Sequence, residues 1–359
     1  MTDEMILENP IPFDREAEKK RMKMTFNRLG WGVVTTILFW MALLYGITIL
    51  AVVADGLAET SLFFDLYNEN LLLINEATLL IAVVVSFFVF QTVPEEIERK
   101  PISFGGFVKI MFMCFSVSYI GNLIGTIFLT FWGMLTGNEV GNQLEEILST
   151  TDPWMMFFSV GILAPLLEEL VFRKFLIDRT RKYGETVAIL VSAGLFALFH
   201  QNFAQLIYTF AAGVMLGYLY YKSGNYWLAV LLHAIFNIVG GVLPTLLVPD
   251  ILAFTEEFAA LESTLMNVQT YEEIYNLIFP LCEKYAASLL LYGLHSLCIG
   301  IVNITGFVLL LIGFSKHRAQ KGTVALTASE KIKAIVVNPG MITALIFLGV
   351  LTISSLFMM

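Results

Sequence analysis

Two adjacent glutamates interrupt an apolar segment of the chain. Residues 154–167 are mostly apolar, and Glu168 and Glu169 follow directly, with Arg173 four residues after Glu169. On a helix over 154–178, Glu169 and Arg173 share a face and can pair, whereas Glu168 lies about 100° further round. Because a charged side chain costs about 2.5–3.5 kcal/mol inside a membrane span, such groups indicate function. We therefore expect Glu168 to point into a cavity.

Two further stretches end apolar runs on polar side chains. The sequence FALFH places Phe196 and His200 on one helix face, and HAIFN does the same for His233 and Asn237. At 1.5 Å per residue from the expected inner helix ends, the four polar groups lie about 12 to 21 Å deep. Glu168, His200, His233 and Asn237 are thus expected to meet near mid-depth in a cavity that opens to the cytoplasm.

These residue types can hydrolyse a peptide bond without a covalent intermediate. A glutamate in an apolar cavity suits a general base, and a histidine beside it can help to position and deprotonate a water molecule. A second histidine and an asparagine can donate hydrogen bonds to the developing oxyanion. No serine or cysteine stands beside a histidine in these stretches, so we expect attack by water.

The three stretches resemble, in order and spacing, the EExxxR, FxxxH and HxxxN motifs of the CPBP family of intramembrane proteases. That family includes CAAX prenyl endopeptidases and bacteriocin-processing enzymes, also called Abi proteins. The resemblance covers residues 154–240. It implies that Glu168 activates water together with His200, and that His233 and Asn237 form the oxyanion hole.

The resemblance also implies supporting roles around the catalytic set. Glu169 and Arg173 would form a structural pair within the site, and Phe196 would pack beside the catalytic water. The implied activity is that of a glutamic endopeptidase that cuts a membrane-associated peptide or protein. Prenylated proteins and peptide precursors are equally open as substrates.

Other interpretations remain open. Glu168, His200 and His233 are residue types that zinc accepts, and three protein ligands with a water molecule form a catalytic zinc pattern. No HExxH motif is present, so we expect no cofactor and keep a zinc-dependent protease as an alternative. A non-proteolytic immunity or scaffold protein of the same fold is a second alternative, and a transporter that uses Glu168 as a proton relay is a third.

The composition places the whole chain in a membrane. Of its 359 residues 57% are hydrophobic and only 14% are charged, and its mean hydropathy is +0.77. Soluble domains carry about 25% charged residues. The net charge of −9, with no cluster of lysine and arginine among aromatic residues, excludes a nucleic-acid partner. The expected partners are the lipid bilayer and a peptide or protein substrate.

The apolar runs predict an all-α polytopic membrane protein with about nine transmembrane helices. The expected spans are 31–54, 71–93, 107–135, 154–178, 186–202, 204–221, 226–248, 287–314 and 340–358. With a cytoplasmic N-terminus, all of the 21 lysines and arginines except Arg173 and Lys284 fall inside. This bias favours that orientation. We expect an integral protein of a bacterial plasma membrane.

Five segments follow from these spans. A cytoplasmic segment, 1–30, precedes the first three spans in 31–135, the catalytic core occupies 154–248, an extracytoplasmic amphipathic segment occupies 249–286, and the last spans lie in 287–359. The acidic stretch 250–286 has apolar residues at helical spacing, which predicts a helix pair on the outer leaflet or a solvated helical cap. Asn75 and Glu76 are expected close enough to the outer surface to need no functional explanation.

Overall fold

The structure is a computed structural model. It describes residues 13–57, 62–90, 94, 97–137, 151–266, 268–314 and 317–357. The first twelve residues, the end of the expected span 71–93 and most of the loop before Pro153 lie outside the described residues. Every regular element in the described ranges is helical, and this confirms the all-α membrane fold.

The helices follow the apolar runs of the sequence. They are α1 (Arg15–Leu57), α2 (Leu62–Glu69), α3 (Leu71–Phe90), α4 (Phe104–Thr136), α5 (Pro153–Tyr183), α6 (Glu185–Phe199), α7 (Phe203–Ser223), α8 (Tyr226–Asn237 and its continuation), α9 (Tyr271–Phe314), α10 (Ala328–Val336) and α11 (Pro339–Ser354). Helix α8 continues through a π-helical turn, Ile238–Val242, into Leu243–Leu265.

Seven helices in the described ranges are long and apolar enough to cross a membrane, and α10 with α11 makes an eighth if this pair, bent by 68°, is one span. The expectation of about nine is therefore approximate. The expected span that is missing from this count is 186–202, because its helix, α6, has only 15 residues. That length is about 22 Å of helix, short of the ~30 Å hydrocarbon core.

The expected outer segment 249–286 consists of parts of two long helices. Its first half continues α8 to Leu265 and its second half begins α9, so both helices run through the predicted boundaries. The two halves form a hairpin in which Glu257 Oε1 accepts hydrogen bonds from Lys284 Nζ at 2.6 Å and from Tyr285 at 2.9 Å. The 44 residues of α9 extend about 66 Å, roughly twice the hydrocarbon thickness.

The basic segments meet at one end of the helix bundle. Lys331 Nζ donates to Tyr183 O at 2.7 Å, and Arg181 Nη2 donates to Tyr221 O at 2.6 Å. At the same end, Arg15 Nη2 lies 2.7 Å from Glu330 Oε2. These contacts join α1, α5, α7 and α10, and they support one common side for the basic loops.

Glycines allow the last helix to approach the first closely. A Cβ added to Gly30 of α1 would lie 2.3 Å from the carbonyl carbon of Gly340 in α11. Small residues at such crossings let membrane helices pack backbone against backbone. The crossing holds α1 and α11 together around the cluster that contains Phe26, Phe172 and Leu348.

Candidate active site

Helix α5 carries the glutamate pair between two π-helical stretches. Ser159–Leu163 precedes the α-helical turn Ala164–Glu169, and Leu170–Ile177 follows it. Single π-helical turns within helices are often found at functional sites, because the extra residue redirects the side chains around them. Glu168 and Glu169 thus occupy the one regular turn between two widened segments.

Glu169 and Arg173 form an ion pair away from water. Both side chains are fully buried, and Arg173 Nε lies 2.8 Å from Glu169 Oε2. Arg173 Nη2 donates to Glu169 Oε1 at 3.1 Å, and Nη1 donates to Ser192 Oγ of α6 at 2.9 Å. The 2.8 Å contact between Nε and Oε2 lacks hydrogen-bond geometry, so it is an electrostatic contact only. The pair joins α5 to α6.

His233 lies between the two glutamates. Its Nδ1 is 3.0 Å from Glu169 Oε1, and its Nε2 is 3.7 Å from Glu168 Oε2. Since the carboxylate that pairs with Arg173 can only accept, Nδ1 of His233 is the donor. Glu169 therefore orients the His233 ring as well as pairing with Arg173, a second contact that the spacing of the motif did not predict.

His200 ends α6 on the other side of Phe196. Its Nδ1 lies 2.8 Å from Phe196 O, and a carbonyl oxygen only accepts, so Nδ1 donates and Nε2 keeps a free lone pair. The Phe196 ring lies 4.8 Å from the His200 ring and 5.7 Å from the His233 ring, between centroids. The Arg173 guanidinium lies 5.2 Å from the same ring. Phe196 is thus the packing centre of the site.

Asn237 stands one turn after His233 and contacts α5. Its Nδ2 donates to Val160 O at 2.9 Å. Gly161 permits this approach, because a Cβ there would lie 2.9 Å from Cγ1 of Ile238. The structure brings Asn237 to the helix that carries Glu168, with its amide engaged by backbone.

Glu76 of α3 has a buried side chain. It is 7% exposed, and it lies on the face of α3 that packs against α5. The sequence carries a signal of this burial. Glu76 shares a helix face with Leu72, Leu79 and Val83, so it stands in the middle of an apolar stripe.

A metal site is not formed by side-chain geometry in the described part of the chain. No group of three histidine, cysteine, aspartate or glutamate side chains there is arranged to hold an ion. Zinc dependence is therefore tested by chelation of divalent ions.

Comparison with known proteins finds a family that is similar to the region around this site. The model of the type II CAAX prenyl endopeptidase Rce1-like family matches residues 150–239, the region that contains all three motifs. The resemblance to CAAX-type membrane proteases is confirmed. This Rce1-like region includes α5, α6, α7 and the first half of α8.

Two curated relatives match part of the chain. The UPF0177 protein YxdF of Lactococcus lactis subsp. lactis (strain IL1403) is 31% identical over 27% of this chain. The "Putative membrane peptidase YdiL" of Bacillus subtilis (strain 168) is 24% identical over 43% of it. The matches span only 55% and 64% of the two relatives' own lengths. No solved structure matches the chain.

Proposed function

We propose that the protein is an intramembrane glutamic endopeptidase that cuts a membrane-associated peptide or protein. The observation that carries this proposal is the meeting of Glu168, Glu169 and His233 from two helices inside the Rce1-like region, with Nε2 of His233 3.7 Å from Glu168. His200 and Phe196 join them from a third helix.

Glu168 is the proposed base. Its carboxylate is not committed to Arg173, which is bonded to Glu169, so Glu168 can take a proton from water. The free Nε2 of His200 is a second acceptor for the same water molecule. The water oxygen then attacks the peptide carbonyl carbon, and the proton passes to the leaving amine.

His233 and Asn237 are the proposed oxyanion donors. To donate from Nε2 while Nδ1 donates to Glu169, His233 must act as an imidazolium. Asn237 donates through Nδ2 after it exchanges Val160 O for the oxyanion.

The proposed location is a bacterial plasma membrane, with the cavity open to the cytoplasm. The bias of basic residues supports this orientation, and the contacts at one end of the bundle agree with it. Prenylated proteins and peptide precursors both fit a membrane-bound substrate.

One experiment tests for the activity. The purified protein and Glu168→Ala are incubated with a library of lipid-anchored peptides, and products are identified by mass spectrometry. We expect cleavage by the wild type that Glu168→Ala does not perform. The matched control is Glu262→Ala, an exposed acid on α8, which we expect to cleave like the wild type.

The same assay separates the zinc alternative. A glutamic protease keeps its cleavage after exhaustive chelation of divalent ions, whereas a zinc protease loses cleavage and regains it with added zinc. No wild-type cleavage across the library would contradict the proposed protease.

A further inference from the structure

A further buried acid, Glu76, lies on α3, the helix that contacts the turn of α5 carrying the proposed catalytic glutamate. Asn75 Nδ2 donates to Glu76 Oε1 at 3.1 Å, while the buried Glu76 Oε2 has no hydrogen-bond partner in the described part of the chain. A buried polar atom left without a partner costs about 1–3 kcal/mol. A ligand that donates a hydrogen bond to this oxygen would remove that cost.

The surroundings of Glu76 include helix α5. On the same helix face, Leu72 packs in a cluster with Met156 and Val160 of α5, and α3 also contacts the turn Ala164–Glu169 of that helix. Glu76 lies one turn after Leu72, so it is on the side of α3 that packs against α5.

A chain of contacts also fixes Glu76 relative to His200. Asn75 Oδ1 accepts from Trp40 Nε1 at 3.2 Å, and the Trp40 ring stacks on Phe199 with centroids 5.7 Å apart. Phe199 directly precedes His200. The position of Glu76 is therefore built by α1, α3 and α6.

Acids outnumber bases in this cluster. Glu168 and Glu169 are adjacent on α5, Glu76 lies on the face of α3 that packs against that helix, and Arg173 is bonded to Glu169. In the described residues, neither Glu76 nor Glu168 has a lysine or arginine of its own. Two acids that face each other in a dry site repel when both are charged, and a cation placed between them removes that repulsion.

We propose that Glu76 determines specificity, and that its free oxygen binds a lysine or arginine side chain of the substrate next to the cleaved bond. This inference rests on the proposed protease function and adds a substrate class to it: peptides with a basic residue at the cleavage site. A neutral side chain there would leave Glu76 Oε2 unpaired and the two acids unscreened.

The test compares two substrates on one enzyme. A lipid-anchored peptide that the wild type cleaves is made with lysine, or with Nε-acetyl-lysine, at each position around the cleaved bond. At one position we expect kcat/KM to be about tenfold or more higher for lysine, since close charge pairs contribute at least that much. In Glu76→Gln the ratio should fall towards one, and Glu76→Asp should restore part of it.

The ratio is taken within each protein, so a loss of folded enzyme cancels. The matched control is Glu69→Gln, an exposed acid at the end of α2, which should keep the wild-type ratio. A wild-type ratio near one at every position, or an unchanged ratio in Glu76→Gln, would overturn the inference and leave the protease function standing. If the wild type cleaves no peptide of a fully randomised library, the proposed function fails, and the inference fails with it.

Discussion

At the scale of single residues, the two glutamates of the motif divide their work. Glu169 is bonded on one side to Arg173 and on the other to Nδ1 of His233, whereas Glu168 faces Nε2 of the same ring. One acid thus holds the site together and the other is available to react. The division follows from helix geometry, since residues four apart pair and adjacent residues diverge.

The buried pair gives a prediction for stability. Arg173→Ala leaves the Glu169 carboxylate buried without its main partner, which costs about 3–5 kcal/mol. We expect a strongly lowered unfolding temperature in detergent micelles, measured by the fluorescence of a thiol-reactive dye or by intrinsic fluorescence. Arg21→Ala, which removes an exposed pair with Glu18, should change it little. A fall in Arg173→Ala no larger than that of Arg21→Ala would show that the pair does not stabilise the bundle.

At the scale of helices, the approach of α5 to α8 depends on one missing side chain. Gly161 lies against Ile238, the residue after Asn237, and a methyl group there would press on a branched side chain at 2.9 Å. The contact from Asn237 to Val160 O depends on the same approach. Packing at Gly161 therefore sets where Asn237 stands relative to Glu168.

Gly161→Ala tests this packing. Overfilling a packed contact costs about 1–3 kcal/mol, so we expect a lower unfolding temperature and weaker cleavage. Gly194→Ala is the matched control, because a Cβ at Gly194 of α6 meets nothing within 4 Å. There the exchange should be neutral or stabilise by up to about 1 kcal/mol. Equal effects of the two substitutions would contradict the role of Gly161.

The motifs predicted which helices meet, but not which side chains of different helices pair with one another. Spacing was enough to pair Glu169 with Arg173, because both lie on one helix. It could not predict that Glu169 also holds His233, since 64 residues separate them. It also gave Glu76 no role, because Glu76 lies near the start of its span, whereas its place in an apolar stripe agrees with the burial of its side chain.

At the scale of the whole molecule, the hydropathy of the chain predicted the membrane fold but not the length of each helix. Helices α8 and α9 continue through the polar stretch 250–286, since apolar residues recur there at helical spacing and their partners lie on the opposite helix. Helix α6 is shorter than its apolar run suggested, because Asn202 caps the start of α7.

One acid of α10, Glu330, pairs with two basic residues of the N-terminal helix α1. Glu330 accepts from Arg15, and Lys19 Nζ lies 2.9 Å from its other oxygen. The pKa of Glu330 lies below its ordinary value. The hydrogen bond from Arg15 is the largest cause, and hydrogen bonds from the Thr327 backbone and from Lys19 add to it. A lowered folded pKa stabilises the folded state above the unfolded value, and this contribution disappears as pH falls through the folded pKa.

Glu330→Gln tests this link. At pH 7 and pH 5 the variant should unfold at a lower temperature than the wild type, and the difference should shrink as the pH is lowered below about 4, the ordinary glutamate range. Unfolding scans of both proteins in detergent at several pH values measure it. A difference that grows in acid would contradict the assigned direction.

The central claim, that Glu168 activates the attacking water, is tested most directly by kcat/KM of Glu168→Gln on a peptide that the wild type cleaves. The exchange keeps the shape of the side chain and removes its basicity. We expect kcat/KM to fall by about a thousandfold, within the range of general-base catalysis, at an unfolding temperature close to that of the wild type. Cleavage within tenfold of the wild-type rate by a folded Glu168→Gln protein would contradict it.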